Sequence, residues 1–432
     1  MEEGKRKLAM KRKRESTGGG KDRLSELPDS VLVHIMELME TRNAVQTCVL
    51  SQRWKNLWRR MTRLSFNHPR TFSRYHNFVS HVLSGRDHSV SLIDLLFVVL
   101  HSTSATLLHD VISYAVSHNV QQLTIYIDTL DCINGATPSF QLSKTPFVPL
   151  LFPSPSLTSL KLSSVFIGYS LELPKSLLLP SLKTLHLTNV HFTASDHNNN
   201  FVEPFSTCHM LNTLVIQYCF MHTSAQVLSI SNSNLSSLTL DTFQEHIVLS
   251  TPNLTSLTIR DGFHFTLLQL SSTCDLSLLK EADIETRVDI HYSVIITWLR
   301  LMTNVKMLTI SSATLKAILN DLSDPAAATV QPPCFGRLES LKVKMHPHVN
   351  ISKEECLLHF VITFLPDTLL QQMIDCYIVS MLEGNETLGK MKRKMEELQR
   401  TRTGSMISNF VVLHIMKFMN TKSAVHTFMS WL

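Results

Sequence analysis

Leu235-Ser-Ser-Leu238-Thr-Leu240 is followed nineteen residues later by Leu254-Thr-Ser-Leu257-Thr-Ile259. Both read apolar-x-x-apolar-x-apolar, and the final two apolar positions share one face of a strand. Outward from this pair the pattern recurs at Leu211-Leu214-Ile216, Leu182-Leu185-Leu187, Leu157-Leu160-Leu162 and Val120-Leu123-Ile125 on one side. On the other side it recurs at Leu279-Ala282-Ile284, Val305-Leu308-Ile310 and Leu338-Leu341-Val343. Successive starts lie 37, 25, 29, 24, 19, 25, 26 and 33 residues apart. Pro155-Ser156, Pro180-Ser181 and Pro252-Asn253 precede three of the copies, as turns that restart a strand. One short strand cannot bury its own apolar face. Copies must therefore stack, and the expectation is an irregular solenoid with a parallel sheet on its concave side.

If the leucines point inward, the alternate residues line the concave face. Those with side chains suited to gripping a partner are Thr184, His186, Thr213, Gln217, Thr239, Asp241, Thr258 and Arg260. One rung stands apart, because Glu281, Asp283 and Glu285 put three carboxylates side by side. That rung either selects a basic segment of a bound protein or is a solvated strand edge.

The chain has 432 residues, enough for a repeat array plus a further domain, and 44% of them are hydrophobic. The formal net charge of +5 belongs to the N-terminal tail: residues 1–23 carry nine of the 40 basic and four of the 35 acidic groups, leaving 31 of each. A body without net positive charge is not built to neutralise phosphates, so no nucleic-acid partner is expected. The tail clusters Lys5-Arg-Lys7 and Lys11-Arg-Lys-Arg14 suit either nuclear import or a solubilising arm, and the tail is expected to be disordered. The longest apolar run, Leu92 to Leu100, is too short for a bilayer and contains Asp94. The eight cysteines include no C-x-x-C pair and the charged N-terminus has no export signal, so the reading is a protein of the nucleus and/or cytoplasm with free thiols. No H-E-x-x-H, G-x-S-x-G or phosphate-cradling glycine loop occurs. His346 and His348 lack further ligands at metal spacing. No catalytic residue, metal or cofactor is expected.

Residues 24–60 read differently. Leu27-Pro28 opens a helix, with Pro28 at its first position, through Val31, Leu32, Ile35, Leu38 and Met39 at three- and four-residue steps. Thr41 is the expected cap of a second helix through Ala44, Val45 and Val49. Ser51 is the expected cap of a third, with Trp54, Leu57 and Trp58 on one face. So small a core is marginal alone and should complete its burial against something else. The string Leu27-Pro28-Asp29-Ser-Val31-Leu32-x-x-Ile35-x-x-Leu38, followed by Ala44-Val45-x-Thr47-Cys48-Val49-Leu50-Ser51-x-Arg53-Trp54-Lys55-Asn56-Leu57-Trp58, resembles an F-box. It is most similar to the plant F-box family carrying leucine-rich repeats. That resemblance implies that Leu27, Pro28, Val31, Leu32, Ile35, Leu38, Leu50, Arg53 and Trp54 dock on a Skp-type adaptor, itself joined to a cullin. It also implies that the repeats hold a substrate protein of unknown identity. Leucine-rich repeats usually place Asn or Cys at the ninth position. Here that slot holds Val165, Val190, Cys219, Phe243, Gly262 and Arg287.

Val411 to Thr427 repeats Val31 to Thr47 at nine of seventeen positions, and Met391-Lys-Arg-Lys394 repeats Met10-Lys-Arg-Lys13. The reading is a second F-box-like segment cut short. It lacks the Leu-Pro-Asp opening and any match to Arg53 and Trp54, and is expected not to bind an adaptor. The domain expectation is a basic tail (1–22), an F-box (23–70), a helical connector (71–119), the solenoid (120–348), a C-terminal cap (349–389), and a linker with the truncated copy (390–432). The fold class is α/β: a three-helix F-box, the solenoid and a mixed helical C-terminus. The function implied is the substrate-recognition subunit of a Skp–cullin–F-box ubiquitin ligase. The alternative is a non-catalytic scaffold whose F-box no longer assembles a ligase.

Overall fold

A computed structural model of the chain describes residues 24, 26–67, 74–100, 103–128, 154–164, 171–174, 176–192, 201–221, 227–243, 246–261, 268–286, 292–322 and 333–345. The basic tail, the C-terminal cap, the truncated second copy, His346 and His348, and the ninth-position residues Val165, Gly262 and Arg287 lie outside these. The chain forms two compact units, dividing after Leu95.

The first unit begins with α1 (Asp29–Glu37) and α2 (Thr41–Gln46). A 3-10 turn (Thr47–Val49), a 3-10 helix (Trp54–Arg60), β1 (Arg63–Phe66) and α3 (Tyr75–Gly85) follow. The third apolar segment is thus a 3-10 helix. Leu32 of α1, Ala44 of α2, and Trp54, Leu57 and Trp58 are buried as their spacing implied, whereas Val31 and Leu38 project, Ile35 and Met39 are half-buried, and Met36, outside the expected face, is buried in their stead. The caps differ from expectation. Pro28 is the residue before α1, with extended ψ, rather than its first helical residue. Thr41 is the first residue of α2, and its buried hydroxyl oxygen accepts the Ser65 N–H at 2.8 Å. Ser51 accepts the Trp54 N–H through its backbone carbonyl only. The small helical core is completed within the unit. One carboxylate oxygen of Glu37 takes the N–H and hydroxyl of Thr62 at 2.5 and 2.8 Å, tying α1 to the start of β1. Arg86 is buried, and its guanidinium donates to the carbonyls of Met61, Val90 and Ser91. Gly85 lies so close to the Trp58 indole that a Cβ there would stand 2.9 Å from it.

The region expected to be a helical connector holds a strand between helices. Leu92 to Leu100 contains β2 (Asp94–Leu100), in which Leu95, Phe97 and Val99 are buried at period two. Helix α4 (Ala105–Ser117) is capped by the Ser104 hydroxyl and closed by Asn119 in the left-handed region (φ 54), with the Val120 N–H returning to the Ala115 carbonyl.

The periodic leucines then define a parallel ladder. It comprises β3 (Gln122–Asp128), β4 (Ser159–Ser164), β6 (Thr184–Thr188), β9 (Thr213–Gln217), β12 (Ser237–Asp241), β14 (Ser256–Asp261), β16 (Glu281–Thr286), β17 (Met307–Ser311) and β18 (Ser340–Lys344), in that spatial order after β2. Leu160, Leu185, Leu214, Leu238, Leu257, Ala282, Leu308 and Leu341 are register partners in one row. Burial of one face fixes that register, since a slip by one residue would turn every leucine to water. The 24 apolar positions of the first eight copies are at most 4% exposed, whereas Leu338 and Leu341 of the last are half-buried.

The backbone repeats as faithfully as the side chains. The N–H groups at both residues 212–213 share the Lys183 carbonyl, those at 236–237 the Asn212 carbonyl, and those at 255–256 the Ser236 carbonyl. At the strand exits Asn189, Tyr218 and Thr242 take positive φ (54°, 52° and 51°) and donate to Gln217, Asp241 and Arg260.

The return segments form strands in the middle of the array and helices later. One three-stranded sheet joins β5 (Leu171–Leu173), β7 (Val190–Phe192) and β10 (Phe220–Met221). A four-stranded sheet joins β8 (Phe201–Val202), β11 (Val227–Ser231), β13 (His246–Ser250) and β15 (Gln269–Ser272). Helices α5 (Tyr292–Leu301) and α6 (Ser312–Leu322) follow. In place of a ninth-position asparagine, Asn232 just after β11 is buried and donates to the Phe205 and Cys208 carbonyls. Cys219, in the expected slot, turns its thiol to the Leu187 and Gln217 carbonyls, and burial pushes it up to about 12.

Candidate functional sites on the helical module and the ladder

The residues of the helical module sort into two sets. Leu32 and Trp54 are core (0% and 7% exposed), Leu27 and Ile35 are half-buried, and Pro28 is exposed. Val31, Leu38 and Leu50 stand out into solvent at 39%, 73% and 63%. Val49, which the sequence pattern assigned to a helix face, is 83% exposed. Of the thirteen large apolar side chains exposed among the described residues, five lie between Leu24 and Leu50, so the surplus is concentrated in this module. Arg53 points back along the chain. Its Nε and Nη2 reach Asp29 Oδ1 at 2.8 and 2.7 Å, and Nη2 also donates to the Leu27 carbonyl.

On the ladder, alternation places the outward residues as expected. Thr184, His186, Thr213, Gln217, Thr239, Asp241, Thr258, Arg260, Asp283 and Glu285 are all half-buried, and Glu281 is exposed. They form rows: His186, Val215, Thr239, Thr258 and Asp283 are successive partners in one, and Gln217, Asp241, Arg260 and Glu285 in the next. Ser163 of β4 and Ser311 of β17, which strand alternation also assigns to the outward face, are buried. Ser311 instead caps α6, accepting the Thr314 N–H and joining the hydroxyls of Thr286 and Thr314 in a buried cluster.

The three carboxylates are not alike in their surroundings. Asp283 accepts from Lys344 Nζ at 2.6 and 2.9 Å, and the same ammonium lies 3.7 Å from Glu285. Arg260 sits on the other side, 3.8 Å from Asp283 and 3.9 Å from Glu285. Lys344 belongs to β18 and reaches across β17 to β16. The small Ser311, its own register partner, leaves that path open. Sequence pattern marked the acids but not their counter-ion, because Lys344 is distant in the chain and meets them only through register. Burial, with the neighbouring Lys161, lowers the His186 pKa below its ordinary 6.5, which favours the neutral ring.

The chain thus carries a small helical module with exposed apolar side chains and, further along the sequence, a long parallel leucine ladder. Residues 24–66 match the F-box domain. The chain is 30% identical over 302 residues to an FBD-associated F-box protein of Arabidopsis thaliana, covering 67% of each chain. It is 28% identical over 340 residues to a putative F-box/LRR-repeat protein of the same plant, covering 74% of this chain and 73% of that one. A further FBD-associated F-box protein of Arabidopsis is 30% identical over 315 residues, with 67% of each covered. The chain belongs to the plant F-box/leucine-rich-repeat family.

Proposed function

We propose that this chain is the substrate-recognition subunit of a Skp–cullin–F-box ubiquitin ligase. In this reading the segments over 24–66 form an F-box that docks on a Skp-type adaptor and, through it, on a cullin. The parallel ladder is an irregular leucine-rich-repeat solenoid whose outward rows hold the protein to be ubiquitinated. The chain contributes proximity rather than chemistry, raising the effective concentration of a target lysine near the ubiquitin-carrying enzyme. The tail clusters Lys5-Arg-Lys7 and Lys11-Arg-Lys-Arg14 support a nuclear and/or cytoplasmic site of action.

The observation that carries the proposal is the apolar surplus. Val31, Leu38, Val49 and Leu50 are exposed on a module whose core is already filled by Leu32, Met36, Ala44 and Trp54. Exposed apolar surface of that density marks a protein interface. The test is retention of a purified Skp-type adaptor by the full chain. Replacing Leu38 and Leu50 together by Asp should abolish retention while leaving the melting temperature unchanged, because neither side chain packs in the core. Changing Leu27-Pro28 to Ala-Ala should also release the adaptor. Failure of the wild-type chain to retain any adaptor would instead leave a scaffold that assembles no ligase.

A further inference from the structure

The opening of α1 has no side-chain cap: Pro28 occupies the capping position, where no side-chain hydrogen bond is made. A helix start without a cap frays, because its first N–H groups have no partner. In this chain the start is tied from elsewhere. Arg53, twenty-four residues on, sets two donors on the Asp29 carboxylate and one on the Leu27 carbonyl. The guanidinium thus spans Pro28, gripping the residue on each side of it. Its planar fork can do this with little loss of freedom per bond, which a lysine cannot. Trp54, next in sequence, is 7% exposed and anchors the far end of the strap in the core.

Resting on the adaptor-docking reading above, we propose that Arg53 is a positioning residue. It holds Leu27 and Pro28 in the geometry that the adaptor receives, and acts through Asp29 rather than by touching the adaptor. Leu27 is half-buried and Pro28 exposed, so their pose depends on the backbone that Arg53 fixes. Arg53 and Asp29 are 36% and 47% exposed, and a surface pair of this kind adds little to global stability. Its effect is local. It pre-pays the ordering that binding would otherwise require, and so strengthens association without any new contact.

The experiment is a double-mutant cycle on the full chain, with affinity for a purified Skp-type adaptor measured by calorimetry. R53A and D29A should each weaken binding, R53A by about tenfold, and D29A should have no further effect in the R53A background. An equal loss from D29A in both backgrounds, or no loss in either, would overturn the proposal, since Arg53 would then act independently of Asp29. Amide hydrogen exchange on the free chain supplies the second measurement. Val31 and Leu32 donate to the Pro28 carbonyl, and R53A should speed exchange across residues 27–36 with the melting temperature preserved. Unchanged exchange there refutes the strap even if binding falls. Wild-type chain that binds no adaptor would defeat the ligase reading alone, and exchange would still decide the role of Arg53.

Discussion

At the scale of single residues, backbone conformation is where side-chain chemistry and fold disagree most visibly. Tyr218 and Thr242 sit at positive φ, a region that costs a residue with a Cβ about 1–2 kcal/mol. The ladder holds them there because their N–H groups bond to the next strand. Tyr218 is 39% exposed and has little packing to lose. Y218N should therefore stabilise the chain by about 0.5–1 kcal/mol in a denaturant titration. His186 carries a pH dependence. Its folded pKa lies below 6.5, so the unfolded chain binds the proton first as pH falls below that value, and stability drops with it. H186Q should lose less stability than wild type between about pH 7 and about pH 5. Neither effect was visible in the sequence. The alternation that put His186 outward said nothing of Lys161 beside it, and no motif marks residue 218 as left-handed.

Elements show a mixed record. The ladder strands follow from apolar spacing alone, because each buries one face, whereas spacing announced α1 and α2 as helices without telling that Val31 and Leu38 project and Met36 is buried. Strand β2 was hidden inside a run too uniformly apolar to show a period, and the return strands are too short to carry one. The 3-10 helix at Trp54–Arg60 is set by its packing. Trp58 lies against α3 so closely that only Gly85 fits there. G85A should push the indole aside and lower stability by about 1–3 kcal/mol in thermal melts, although alanine is the better helix former. The charged rung belongs to this scale too. Asp283 and Glu285 are shared between Arg260 and Lys344, so Glu281 is the carboxylate of that rung exposed to solvent. Two of the three carboxylates thus already face cations of the chain itself.

For the molecule as a whole, the ladder behaves as a one-dimensional array whose stability is a sum over neighbouring strands. The cost of a cavity then depends on the place in the array. Leu238, 1% exposed with strands on both sides, should cost about 3–5 kcal/mol when changed to Ala. Leu341, half-buried on β18, should cost clearly less, and paired urea titrations of the two variants read the difference. The helical module obeys a different logic. It is a compact core with apolar side chains left over, and the proposed adaptor docking rests on those.

The sequence by itself determined what a short-range pattern can encode: the strand period, the inward leucines, the rows facing outward, and the F-box string with its residue types. Those depend on which side of one strand or helix is apolar, and that is written locally. Only the tertiary structure decided which of the F-box residues are core, which project, and that Arg53 closes on Asp29. It alone brought Lys344 to Asp283 across 61 residues of chain. Such contacts arise from stacking and register, which belong to no single segment and exist only once the neighbouring strands are in place.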